Sequence, residues 1–156
     1  MRNWVYVILA FALVSCGEQK STVTNVIGTG HFRGHNIGDK QKQIENGLKG
    51  VESMSQTENA LSYEQTIDGI ELVSRYDFDQ QALYSIQADM FFPDSSQLNS
   101  FQQELITHYN DKYGTVDLSS GFLVWQERGK VEFTLADESV EFGQPKLSLT
   151  IYNFNY

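Results

Sequence analysis

Asp68-Gly69 is the strongest turn signal in this chain, and no other pair of residues constrains the fold as much. A two-residue hairpin turn requires positive φ, which glycine adopts without the clash a Cβ would bring. A turn at that point sets the register on either side. Ile67 pairs with Ile70, Gln65 with Leu72, Tyr63 with Ser74 and Leu61 with Tyr76, all on one face. Ser62, Glu64, Thr66, Glu71 and Arg75 fall on the other face, with Val73 as the exception. A slip of one residue would scramble this sorting. The pattern therefore predicts an antiparallel pair with one buried face and one solvated face.

Downstream, Tyr84, Ile86, Ala88, Met90 and Phe92 alternate with Ser85, Gln87 and Asp89, which predicts a third strand ended by Pro93. Asp94 then stands at the N-cap position of a long helix, with Gln97 placed to reach back as a capping box. Leu98, Phe101, Leu105 and Tyr109 form its apolar stripe, widened by Ile106 and Tyr113, and Gly114 closes it. A shorter helix precedes the first hairpin, with Asp39 as N-cap and Ile44, Leu48 and Val51 at helical spacing. Gly47 weakens that helix and Gly50 ends it. A second hairpin spans residues 121–136. A loop Glu127-Arg128-Gly129 spares Arg128 a positive φ and sets Leu123 and Trp125 opposite Phe133 and Val131. A last strand over residues 146–153 turns Leu147, Leu149 and Ile151 inward.

The expected fold class is α+β: an antiparallel sheet with two helices on one face, and an order of helix-β-β-β repeated twice. It is similar to the sheet-and-helix modules of small envelope lipoproteins and of secreted proteins that inhibit β-lactamases, a likeness of fold that implies function only weakly.

The amino terminus carries a different signal. One basic residue, Arg2, precedes the apolar run WVYVILAFALV at residues 4–14. The run has signal-peptide length and falls short of the roughly 20 residues a membrane-spanning helix needs. Leu13-Val14-Ser15-Cys16 follows, and it resembles the lipobox of bacterial lipoproteins. That resemblance implies cleavage before Cys16 and diacylglycerol on its thiol, giving the multiple acyl chains that stable anchoring requires. It also implies a cell-envelope location. Gly17 stands where an aspartate would favour inner-membrane retention, so the outer membrane is expected. The sole cysteine of the chain is thereby accounted for, and no intramolecular disulfide can form. The expected organisation is a signal peptide at 1–15, a lipidated N-terminus and flexible tether at 16–36, and one globular domain at 37–156. A tether of that length would span roughly 25 Å.

With 20 acidic residues against 11 basic ones the chain carries a formal charge of −9, which repels phosphate backbones and argues against nucleic-acid partners. His31 and His35 have the spacing of helical zinc ligands, but Gly30 and Gly34 beside them argue against a helix, and no third ligand suggests itself. Asp77-Phe78-Asp79 offers alternate acids, yet lacks the glycine and distal glutamate of a calcium loop. Gly28-Thr29-Gly30 lacks P-loop spacing, and no Gly-x-Ser-x-Gly elbow occurs. Glu64 with Glu71, or Asp137 with Glu138, could in principle form a glycosidase pair, but Glu64 and Glu71 lie on the solvated face. His108 reads as a surface histidine of the long helix. No cofactor, metal site or catalytic residue is expected, and the chain reads as a non-enzyme.

The aromatics exceed what one core needs. Phe122, Phe142, Tyr152, Phe154 and Tyr156 fall at turns, outward positions or the chain end, and such residues are enriched at protein interfaces. The candidate partner surface is Phe122, Val124 and Tyr152. The expected function is a membrane-anchored module binding another envelope protein. An inhibitor of a secreted hydrolase, using the acidic loop Asp137-Glu138-Ser139, is the alternative, and a carboxylate-dependent hydrolase comes last.

Overall fold

The structure, a computed structural model, describes residues 21–116 and 122–154. It is an α+β fold with a seven-stranded antiparallel sheet and four helices. Helix α1 (Thr22–Ile27) and α2 (Gln41–Gly47) lead into β1 (Glu52–Gln56), β2 (Ala60–Ile67), β3 (Ile70–Asp79) and β4 (Ala82–Phe91). Then come α3 (Ser95–Tyr113), β5 (Leu123–Glu127), β6 (Val131–Asp137), the single turn α4 (Ser139–Phe142) and β7 (Lys146–Asn153). The strand order is β1-β2-β3-β4-β7-β6-β5, so the last strand of the chain pairs with β4 near the middle of the sheet.

The first hairpin has the register its turn dictates, from Ile67↔Ile70 to Leu61↔Tyr76. Asp68 (φ 51) and Gly69 (φ 81) both occupy the left-handed region that a two-residue hairpin demands. Between β3 and β4 the register shifts after Asp77, and Leu83 rather than Tyr84 takes the buried position opposite Phe78. Tyr84 is the extra residue of this bulge and is half-buried, which corrects its expected inward placement.

The second hairpin also departs from expectation. Its pairs are Leu123↔Leu135, Trp125↔Phe133 and Glu127↔Val131, so the loop is Arg128-Gly129-Lys130, one residue later. Arg128 does adopt positive φ (50°), and Lys130 N–H closes the turn on Glu127 O at 3.0 Å. The shift moves each pairing by two residues, so every side chain keeps its expected face.

Helix α3 follows its sequence pattern. Asp94 accepts from Gln97 N–H at 2.8 Å, and Leu98, Phe101, Leu105 and Tyr109 are buried. Gly114 closes it with its N–H on Asn110 O. Gln97 does not complete the capping box, because its Oε1 is buried without a hydrogen bond among the described residues. In α2 the N-cap is Lys40 rather than Asp39, whose carboxylate instead accepts from Asn36 N–H. Gly47 is required for space: a Cβ there would fall 2.5 Å from Cε1 of His35.

The largest correction concerns residues 21–36. They are not a tether; they belong to the domain. Val23, Val26, Ile27 and Phe32 are each no more than 1% exposed and join the same core as Leu72, Tyr76, Met90, Phe133 and Leu149. Ser21 caps α1 through Thr24 N–H, and the chain then doubles back, with Arg33 N–H on Ile27 O and Gly34 N–H on Thr29 O, both at 2.6 Å. Gly30 sits in this fold-back with φ 73, and a Cβ on it would meet His35 O at 2.9 Å. The glycines that suggested flexibility instead permit a tight turn. Cys16, the lipobox and the preceding leader lie outside the described residues, as does Tyr156.

Candidate functional site: the open face of the sheet

Side-chain parity divides the sheet. The buried rows share one hydrophobic core with Val23, Val26 and Ile27 of α1, Phe32, Ile44 of α2, and Leu98, Phe101, Leu105 and Tyr109 of α3. The opposite rows carry mostly half-buried and exposed side chains, with Asp77, Ser85 and Lys146 buried among them, and α4 packs against β7. Across this open face one row runs Val124, Thr134, Thr150, Gln87, Arg75 and Ser62, from β5 to β2. The next row contains Glu132, Tyr152, Ser85 and Asp77. Val124 and Tyr152 therefore share the open face, in adjacent rows with β6 between their strands. Phe122 precedes β5 and is 54% exposed, next to residues outside the described set.

The charges on this face are mostly used locally. Tyr152 Oη donates to Glu132 Oε1, and this bond, followed by burial and the carboxylate's charge, raises the phenol's pKa above its usual value. Arg75 donates from Nε to Asp77 Oδ1 at 2.9 Å, with its second nitrogen 2.8 Å from the same oxygen. Lys146 is only 3% exposed. Its Nζ lies 2.8 Å from Glu138, 3.3 Å from Asp89 and 3.5 Å from the centroid of the Phe142 ring. Burial alone would lower the Lys146 pKa, but the two carboxylates outweigh it and raise it. Around Val124 and Tyr152 this face offers Ser, Thr and Gln with apolar and phenolic points, and the charges of Glu132, Arg75, Asp77 and Lys146 there are paired, so that part can dock against another surface without stranding those ions.

The other residues singled out by sequence lie elsewhere. His31 has both ring nitrogens engaged: Nδ1 accepts from Ile37 N–H at 3.0 Å, so Nε2 carries the proton and donates to Glu127 Oε2 at 2.7 Å. No lone pair remains there for a metal or a substrate proton. His35 is buried against Gly47 and edge-on to Tyr76, with ring centroids 5.9 Å apart. Among the described residues no three His, Cys, Asp or Glu side chains converge as a metal site. Asp77 of the weak calcium motif is occupied by Arg75.

Glu64 and Glu71 pair with Val73 and Thr66, so they stand in different rows of the open face with nothing enclosing them. The acidic loop is tied down rather than presented. Asp137 Oδ1 accepts from Ser139 N–H and Oγ, and Glu138 holds Lys146. Sequence reasoning missed the burial of Lys146, which has no local pattern, and also the Arg75–Asp77 pair. The i, i+2 spacing of Arg75 and Asp77 along one strand was the available signal. Comparison with models of known protein families, with curated proteins and with solved structures returns no match.

Proposed function

We propose that the chain is an envelope lipoprotein, anchored through lipid on Cys16 and favouring the outer membrane, whose domain is a non-catalytic module binding another envelope protein. The docking surface is the open sheet face around Val124 and Tyr152, with Phe122 at its rim. The observation that carries this reading is that Arg75, Asp77, Lys146, Tyr152 and Glu132 are paired locally beside half-buried apolar side chains, the composition of a surface suited to contact. The leader and lipobox-like run supply the reason for an envelope address.

The finer architecture belongs to the same reading. A helix, a hairpin and a strand (α2, β2, β3, β4) are followed by a second such set (α3, β5, β6, β7), with both helices on the buried side. The adjacency of β4 and β7 supports it, because it leaves each half a contiguous block of three strands.

The test is photo-crosslinking in cells, with a crosslinking amino acid at position 124, at 152, or at the exposed α3 position Gln103 as control. A defined protein adduct at 124 and 152 and none at 103 is expected. Equal labelling at all three positions, or no adduct at 124 and 152, rejects the surface. In parallel, Cys16→Ser should leave an uncleaved precursor lacking lipid. A mature, lipid-bearing Cys16→Ser chain would reject the anchor independently of the docking face.

A further inference from the structure

Three segments meet at one end of the sheet. The turn between β1 and β2 is tied to β3 by Phe78 N–H on Asn59 O at 2.8 Å. The segment entering α2 is tied to the β3–β4 turn, with Gly38 N–H on Leu83 O at 2.7 Å and Gln41 N–H on Gln81 O at 3.1 Å. They frame a cleft of about 620 Å³. A second hollow of about 520 Å³ opens toward the open face, and Asn59 borders both.

Every residue lining the 620 Å³ cleft is of a polar type, and the methylene stems of these side chains make up the apolar part of the wall. Lys40 and Lys42 are balanced in formal charge by Glu45 and Glu58, and carboxamides complete the wall. Two of these, Gln80 (φ 47) and Gln81 (φ 65), occupy the two central positions of the β3–β4 hairpin turn. Both positions require the left-handed region, which glutamine disfavours and which Asn-Gly or Asp-Gly satisfies without strain. The same sheet contains the relaxed version of this turn at Asp68-Gly69. A turn that served only the fold would gain from such a pair. Two strained glutamines lining a cavity are the kind of outlier that points to a ligand.

The chemistry of the wall selects the ligand. Its formal charges cancel, so it offers no net attraction for a simple ion. It has no aliphatic or aromatic residue, and the apolar area of its side-chain stems, interleaved with polar groups, suits the C–H faces of a sugar ring, which alternate with hydroxyls, better than a continuous acyl chain. A carboxamide presents a donor and an acceptor side by side, which matches hydroxyl groups that also donate and accept. Glu45 Oε1 is pre-oriented by Nε2 of Gln41 and of Gln56, each at 3.2 Å. The volume lies within the range of ligand pockets, roughly 300–1,000 Å³. We propose that this cleft is a binding site for a neutral, hydroxyl-rich ligand, a short saccharide.

The test is an NMR titration of the full chain, ¹⁵N-labelled and held in a sugar-free detergent, with maltotriose, with triacetylchitotriose and with triglycine as a zwitterionic comparison. At least one saccharide should shift amides in residues 40–45, 57–59 and 79–82 saturably, and triglycine should not. In the double variant Gln80→Asn/Gln81→Gly the melting temperature should hold or rise while the saccharide shifts disappear. That outcome separates loss of a ligand contact from loss of the fold. Absence of shifts at those amides with both saccharides at 50 mM (about 50-fold above a 1 mM Kd) overturns the proposal. So does a response to triglycine alone, or undiminished saccharide binding by a folded double variant.

Discussion

At the scale of single residues, the histidines show how burial decides chemistry. His35 is 7% exposed, and its Nε2 makes no hydrogen bond among the described residues. Burial pushes its pKa below 6.5; Asp39 pulls upward and the Arg33 guanidinium adds to the lowering. The Arg33 guanidinium itself is held by the carbonyl oxygens of Asn25 and Val26 and by Gln65 Oε1, so it cannot turn away from the ring at little cost. The folded state therefore favours neutral His35, and between its lowered pKa and 6.5 the unfolded chain binds more protons. Stability from this residue is complete above pH 6.5 and is lost as pH falls through that window. His108 is shifted the same way, by burial and then by Lys112, and adds a second increment. Urea unfolding between pH 5 and 7.5 should show the wild type weakening toward acid. His35→Gln should flatten part of that slope and leave the part from His108. An unchanged slope in a folded variant would exclude His35 as its source. None of this was visible in the sequence, where His31 and His35 read only as a spacing of four. Their burial arises from the fold-back of residues 28–35, which the glycines permit and do not by themselves announce.

At the scale of elements, legibility followed how much of the pattern was local. The Asp68-Gly69 hairpin, the α3 stripe and the inward residues of β7 were readable, because periodicity and turn chemistry agreed within a few residues. The open-face location of Val124 and Tyr152 followed from the same alternation. Strand β1 was not readable: all five of its residues are exposed, so it has no buried row to reveal. Helix α1 was passed over because it is six residues long and rich in β-branched side chains, although Ser21 as cap and Val23, Val26 and Ile27 at i, i+3, i+4 were its signature. The consequence is energetic. Burying Val23, Val26, Ile27 and Phe32 contributes about 1.5–3 kcal/mol each, an upper estimate. The sum rivals the roughly 5–15 kcal/mol of a whole domain. A chain beginning at residue 37 should thus lose its cooperative thermal transition, whereas one beginning at 21 should keep it. Circular-dichroism melts compare the two directly. A sharp transition in the shorter chain would return residues 21–36 to the status of a tether.

At the scale of the whole molecule, the position of β7 matters most. The chain makes β4 by residue 91 yet finds the partner for its second edge only at residues 146–152, beyond α3 and a second hairpin. Until that pairing forms, the four-strand block β1–β4 and the three-strand block β5–β7 share no inter-strand hydrogen bonds, and β4 presents an unpaired edge. Closing so long a loop costs entropy before any contact rewards it, so the central seam should form late and, once formed, should be the most protected part of the sheet. Its side chains agree: Ile86, Ala88, Met90, Leu147, Leu149 and Ile151 are all fully buried along the seam. At the margins, β1 is bulged at Ser53/Ser55 and wholly exposed, and β5 is only five residues long, as edge strands that resist unwanted pairing tend to be. Native-state hydrogen exchange should therefore be slowest for amides of residues 85–91 and 146–152, at rates set by global unfolding, and fastest among strands for 52–56. The same gradient separates the proposed docking face, which rests on the rigid centre and the β5–β6 side, from the turn cleft bordered by β1. If β1 amides exchange as slowly as those of β7, the sheet opens as a single unit and the gradient from seam to edge does not exist.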